Sequence, residues 1–343
     1  MEEFKKILEG KSKACLFTHP FPDPDAIGSM MGMSWALDKL GIKSNMYYDG
    51  AISHPQNKSM VNLLDLELIP LSNYDSDLYD QSTTLNILLD TVPDNAGAPS
   101  EVNFDMVIDH HKDFPLDYKG VYLNLKSGSA CSVVYNLIEQ LELEFEEDKL
   151  SDNKVATAMM IGITTDTEFL MSDDCSDHEF FAWSKLFQFR DPTLLKQIVN
   201  YERPKFWIDS KATACSKAIV DESVGVVGMG LIPQKHRDMI ADMADEMVTW
   251  EDLHTAIVFA LVDGSRIEGC VRTKASSVSA PSLCNELAGK YGLGGGKLGK
   301  GAYKYELCGA GIEEDDDEDI KLKTWDLFQD KEIRRVFRVV KNN

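Results

Sequence analysis

The sequence predicts an α/β protein, with a parallel-sheet N-terminal domain followed by a smaller α/β C-terminal domain. Three observations carry this. Short apolar runs at 14–17, 85–89 and 105–108 have the length of buried strands and are separated by stretches with helical spacing. Each run leads into acids or histidines: His19 after the first, Asp90 at the end of the second, and Asp109, His110 and His111 after the third. In parallel sheets, ligands gather at the carboxyl ends of the strands. Finally, 343 residues exceed what one ordinary core fills, and a second set of strand patterns begins at 224.

Taken in order, residues 2–9 read as a short amphipathic helix. The strand at 14–17 feeds a loop stiffened by Pro20, Pro22 and Pro24, and a helix over 30–40 ends at Gly41. Residues 42–48 alternate as a second strand. Residues 55–68 have helical spacing, with Pro55 at the start. Helices are expected at 129–143, 155–163, 178–190 and 191–201. The domain reading is 1–201, a linker with a connecting helix over 202–221, and a second domain over 222–343. In the second domain the strands are 224–229, 255–262 and 266–273, and a helix at 281–291 runs into Gly294, Gly295 and Gly296. Residues 313–319 are seven consecutive acids, read as a solvated loop. Residues 332–340 suit a closing helix or a closing strand.

Composition narrows the function. With 43% apolar residues the chain is globular, and no run of eighteen apolar residues suggests a membrane span. The N-terminus lacks the layout of a secretion signal, and seven cysteines without Cys-x-x-Cys spacing suit reduced thiols, so a cytoplasmic location is expected. The net charge of −22 argues against tight binding to long nucleic acid, which needs an extended basic surface. It allows a small phosphorylated substrate held locally. No membrane partner is expected, and a homodimer is left open.

The chemistry lies in four clusters: His19, Asp23 and Asp25; Asp90; Asp109, His110 and His111; and Asp166. Asp23 and Asp25, spaced by two, would point the same way in an extended loop and would repel each other unless a cation sat between them. Gly28 and Ser29 are expected to open a helix whose N-terminus could seat phosphate. Oxygen ligands mixed with imidazole suit Mn²⁺ or a similar divalent ion.

In this order the clusters resemble the four motifs of the DHH phosphoesterase superfamily. His-Pro-Phe-Pro-Asp-Pro-Asp-Ala-Ile-Gly-Ser at 19–29 looks like the first, Leu-Leu-Asp at 88–90 the second, Val-Ile-Asp-His-His at 107–111 the third, and Asp166 within 162–167 the fourth. The resemblance spans residues 14 to about 305. It implies one ion on His19, Asp23 and Asp90 and another on Asp25, Asp90, His110 and Asp166, with Asp90 bridging. It also implies two divalent ions, most often Mn²⁺, with Mg²⁺ or Co²⁺ as alternatives. Asp109 and His111 are the implied catalytic residues, Asp109 orienting the histidines and His111 contacting phosphate.

The second domain resembles the DHHA1 domain that follows in many members, with an active-site cleft between the two. The implied substrate-binding residues are His111, Arg272, Lys274, Gly294, Gly295, Gly296, Lys297 and Lys300. One departure stands out: Lys297 occupies the position where that family has His. The closest general resemblance is to the nanoRNase group, the pAp phosphatases. It implies hydrolysis of short oligonucleotides, dinucleotides or 3′-phosphoadenosine 5′-phosphate by a two-metal-activated hydroxide. The alternatives are a cyclic-dinucleotide phosphodiesterase and, from another class, a nucleotide-binding or sensing protein that has lost catalysis.

Overall fold

The structure, a computed structural model, describes residues 2–93, 102–111, 118–307, 312 and 315–342. It divides into two units, Met1–Glu202 and Arg203–Asn343. Each is built on its own six-stranded sheet.

In the first unit α1 (Glu2–Leu8) precedes the central strand β1 (Lys13–Thr18), and α2 (Pro24–Lys39) leads to β2 (Lys43–Tyr48). Next come α3 (Pro55–Leu64), β3 (Leu68–Pro70), β4 (Thr84–Leu89), β5 (Met106–Ile108) and β6 (Val121–Leu123). Four helices close the unit: α4 (Ala130–Gln140), α5 (Leu150–Asp166), α6 (Asp177–Leu186) and α7 (Pro192–Val199). The sheet order is β3-β2-β1-β4-β5-β6 and every pairing is parallel. The chain therefore builds outward on one side of β1, then returns to build β4 on the other. Loops leaving β1 and β4 diverge there and open a crevice beyond the carboxyl ends of both strands. β1 is buried on both faces, as a central parallel strand requires. Ala14 and Leu16 pack into the core shared with α2, α4 and α5, while Cys15 and Phe17 join Tyr47, Leu88 and Val107 on the opposite face.

Two expectations about the loop after β1 need correction. α2 begins at Pro24, well before residue 30. Asp23 is its N-cap, and one carboxylate oxygen accepts the N–H groups of Asp25 and Ala26 at 2.9 and 3.0 Å. Pro24 at the first helical position needs no N–H partner there, so Asp-Pro starts the helix early. Asp25 thus lies in the first helical turn, not in an extended loop. Gly28 and Ser29 do not open a helix either; both are buried inside α2. A side chain at Gly28 would meet the Ala158 carbonyl oxygen and Cys131 Sγ, both at 2.8 Å. Glycine there lets α2 cross α5 closely.

In the second unit α8 (Lys205–Lys217) is followed by β7 (Ile219–Asp221), β8 (Val224–Ile232), α9 (Met239–Met247), β9 (Thr255–Val262) and β10 (Arg266–Thr273). Then come α10 (Ala280–Ala288), β11 (Leu293–Lys297), β12 (Lys300–Glu306) and α11 (Glu318–Asn342). The order is β11-β12-β10-β9-β8-β7, antiparallel except for the β8–β9 pair. Trp207 on α8 and Met239, Met243 and Met247 on α9 fill the core on one face. Cys284, Leu287, Trp325 and Val336 from α10 and α11 fill the other. The closing segment is therefore a helix of 25 residues. Within the acidic run, residues 313 and 314 lie outside the described residues. Asp319 sits in the first turn of α11, where an acid is favoured by the unpaired N–H groups of a helix start.

Candidate metal centre

Six ligand-type side chains meet at the crevice beside β1 and β4. His19 follows β1, Asp23 caps α2 and Asp25 stands in its first turn. Asp90 follows β4, His110 follows β5, and Asp166 ends α5. Their ligand atoms, together with that of His111, fall into three overlapping groups, each within 4.8 Å: His19, Asp23 and Asp90; Asp25, His110 and Asp166; and Asp90, His110 and His111. Asp90 and His110 are each shared by two groups. His19 Nε2 is 3.5 Å from Asp90 Oδ2, and His110 Nε2 is 3.3 Å from Asp90 Oδ1 and 3.2 Å from Asp166 Oδ2.

Backbone contacts aim these groups. His19 Nδ1 lies 2.9 Å from the Pro20 carbonyl oxygen, and His110 Nδ1 lies 3.3 Å from that of Ser127. A carbonyl only accepts, so each Nδ1 donates to it, and Nε2 is the ring atom left to give up its proton and offer a lone pair to a cation. Asp90 holds φ at 59°, a left-handed value unusual for a residue with a side chain. Its N–H donates to the Ile108 carbonyl at 2.8 Å, which fixes the strained corner. Asp25, fully buried, accepts from the first N–H groups of α4, those of Ala130 and Cys131. These orphan donors at a helix start were the signal in Ser127-Gly128-Ser129-Ala130 that sequence reasoning did not connect to Asp25.

Burial first, then the neighbouring Asp90 and Asp166, pushes the Asp25 carboxyl well above its ordinary range. Asp90 goes the other way: burial opposes its charge, but His110 and His19 hold it well below the usual carboxylate range. Burial also opposes charging His19 and His110, yet Asp90 wins and raises each to about 10. Asp90 Oδ1 and His110 Nε2 are buried and, despite their proximity, neither has a hydrogen-bond partner. Buried polar atoms without partners are costly, and two aimed at a common point fit a divalent cation. Two imidazoles and four carboxylates form a mixed N/O donor set that such an ion accepts.

The Asp109 expectation needs correction. Its Oδ1 is 2.7 Å from His111 Nδ1, so it orients His111. It does not orient His110, which is held by Ser127. The remaining histidines have local roles: His54 caps α3 through Nδ1, and His236 accepts from Trp207 Nε1 at 3.3 Å. His254 contacts Thr255 Oγ1, and His178 is in the first turn of α6.

The expected substrate residues of the second unit divide. Arg272, Gly294–Gly296, Lys297 and Lys300 line a groove of about 630 Å³ with Arg237 and Lys304. Lys274 does not line it; it is exposed just beyond β10. The Arg272 fork is engaged by Asp245, with Nε and Nη2 donating to the two carboxylate oxygens. The triple glycine is not a loop but edge strand β11. A side chain at Gly294 would meet the Cys284 carbonyl oxygen at 2.3 Å, and Gly296 holds φ at 153° with the Lys300 carbonyl 2.1 Å from a Cβ. Packing against α10 and β12 therefore demands glycine at both, and Gly295 alone faces open space.

Residues 13–163 match the family model described as the DHH family, N-terminal domain. An uncharacterized protein of Methanocaldococcus jannaschii, MJ1633, is 28% identical over 300 residues, 87% of this chain. The chain spans 59% of the length of that relative. An exopolyphosphatase-related protein from Bacteroides fragilis shares the fold, with a TM-score of 0.66 at 17% identity over 98% of this chain and 96% of that one. RecJ from Thermus thermophilus in complex with Mn²⁺ aligns more loosely, with a TM-score of 0.47 at 14% identity over 96% of this chain and 53% of that one.

Proposed function

We propose that the protein is a metal-dependent phosphoesterase acting on short oligonucleotides, dinucleotides or 3′-phosphoadenosine 5′-phosphate, a reading supported by the match of residues 13–163 to the DHH family, N-terminal domain. The observation that carries this reading is the convergence of His19, Asp23, Asp25, Asp90, His110 and Asp166 into groups that share Asp90 and His110.

His19, Asp23 and Asp90 would hold one divalent ion, and Asp25, Asp90, His110 and Asp166 a second. Bound there, such ions supply Lewis-acid charge to phosphoryl oxygens and make water more acidic. The chain's own residues do the rest. Asp109 holds His111 by Nδ1, so its Nε2 is left to meet a phosphate oxygen. His111 is 38% exposed, while the Asp109 carboxylate behind it is fully buried. Asp25 and Asp23 each spend oxygens on helix N–H groups, which locks their carboxylates in place before substrate arrives. The basic groove of the second unit supports an anionic substrate in a chain whose net charge is −22.

The test is turnover by chelator-treated protein with and without Mn²⁺, offering pApA, pGpG, 3′-phosphoadenosine 5′-phosphate, cyclic di-AMP and pyrophosphate separately. Mn²⁺-dependent release of mononucleotide or phosphate is expected from the short substrates, with Asp90→Asn slower by at least about 10³-fold. If no substrate turns over, or the variant equals the unmodified protein, the enzyme reading fails and nucleotide binding without catalysis takes its place.

A further inference from the structure

Two exposed phenylalanines lie within three residues of metal ligands along the chain, each on a backbone that a bulky residue rarely adopts. Phe21 lies two residues from both His19 and Asp23, holds φ at 57° and is 38% exposed. Its N–H donates to the Asp49 carbonyl at 2.9 Å, and its ring lies so close to Gly50 that a Cβ there would sit 2.9 Å from two ring carbons. Phe169 lies three residues beyond Asp166 and is 65% exposed. It is the middle of three successive left-handed residues, with φ of 50°, 61° and 64° at Glu168, Phe169 and Leu170.

That turn is held firmly. Phe169 N–H donates to the Thr164 carbonyl at 2.8 Å, folding the residue back onto the last turn of α5. Thr167 Oγ1 accepts the Leu170 N–H at 3.1 Å, and Leu170 packs against the core while Phe169 does not. The turn is also tied to the site, because a side chain at Gly128 would meet Thr167 Cγ2 at 2.9 Å, one residue from the Ser127 carbonyl that aims His110. Left-handed φ is disfavoured for large L-residues, so the surroundings of both rings must enforce it. Folding gains little from Phe169, which is 65% exposed.

We infer that Phe21 and Phe169 are stacking platforms for the nucleobases of the substrate, one following His19 of the first ligand group and one following Asp166 of another, and that they select base-bearing phosphodiesters over inorganic phosphates. This rests on the proposed phosphoesterase reading and adds the specificity to it. Every base has a π-face, so flat aromatic surfaces recognise nucleotides without fixing the base. An inorganic polyphosphate gains nothing from either ring.

The test compares pApA with its abasic counterpart, in which both bases are replaced by hydrogen, on the full chain with Mn²⁺. The unmodified protein should prefer pApA in kcat/KM. Phe21→Leu and Phe169→Leu should each lower that preference by about 10-fold, the scale of one lost base stack, through KM more than kcat. Phe→Trp at either position should restore it. An unchanged preference in both Leu variants overturns the inference, as does equal impairment in the Leu and Trp variants, which would mark a packing role. If neither compound turns over, the phosphoesterase reading fails, and equilibrium binding of the same two compounds to the same variants decides the platform on its own.

Discussion

Stripping and restoring Mn²⁺ while following the melting of the first unit tests the metal centre without relying on turnover. A ligand bound only by the folded state at about 100 times its dissociation constant stabilises by about 2.7 kcal/mol. The unit runs from Met1 to Glu202, so 202 residues unfold. At roughly 2.1 cal/mol/K per residue its unfolding entropy is about 0.42 kcal/mol/K, and each bound ion should raise Tm by about 6 °C. Asp90→Asn is the sharpest perturbation. It keeps the shape, suits φ near 60°, and removes the charge shared between His19 and His110. The variant's shift should be under about 2 °C. The pH dependence has a definite sign. In the metal-free protein His19 and His110 are raised to about 10. Their stabilising contribution is whole below about 6.5, the unfolded value, and is lost as pH rises through about 10. Asp25, raised by burial and its carboxylate neighbours, likewise costs more as pH rises above the ordinary carboxylate range. The metal-free Tm should therefore fall between pH 6.5 and 9. The Mn²⁺-induced rise should grow over the same interval, because the ion displaces protons. Scanning calorimetry at both pH values measures all of this. Equal shifts in Asp90→Asn and unmodified protein, or no shift at millimolar Mn²⁺, would refute the site.

Gly162→Ala would set a Cβ 2.6 Å from Cys131 Sγ and 3.0 Å from Asp25 Oδ1. Overpacking of about 1–3 kcal/mol, offset by about 1 kcal/mol of helix propensity, predicts a Tm loss of a few degrees, and Mn²⁺ affinity should fall because Asp25 is displaced. Cys131→Ala in the same chain should recover part of the stability; a double variant no better than Gly162→Ala counts against the crowding account. In the second unit, Asp245→Ala frees the Arg272 fork, and pyrophosphate or nucleotide binding to the basic groove should tighten several-fold. Calorimetric titration showing unchanged or weaker binding would mean that Asp245 positions the guanidinium and does not compete for it.

The candidate ligands were legible because their signal is local and repeated. His19, Asp23, Asp90, His110 and Asp166 each follow or end a recognisable element, and parallel sheets put such ends together. The strands at 85–89 and 255–262 were legible as apolar runs of strand length, and 266–273 from its alternation of faces. Boundaries were less so. The early start of α2 hung on Asp23-Pro24, a cap signal that a run of prolines made look like loop. The triple glycine read as a phosphate-binding loop because glycine is permissive. Its reason lies in the Cys284 carbonyl and the Lys300 backbone, ten residues away in one case and across a hairpin in the other.

The sequence by itself determined an α/β chain in two parts, an acidic molecule with a local cluster of hard ligands, and the order in which those ligands arrive. Those properties depend on residue type and spacing, which are present in the string. Tertiary structure alone decided that His110 belongs to two ligand groups, that Ser127 aims His110, that α4 supplies N–H groups to Asp25, and that Asp245 holds Arg272. Each of these joins segments brought together by strand order and helix crossing. Their geometry follows from packing, so no window of sequence contains it.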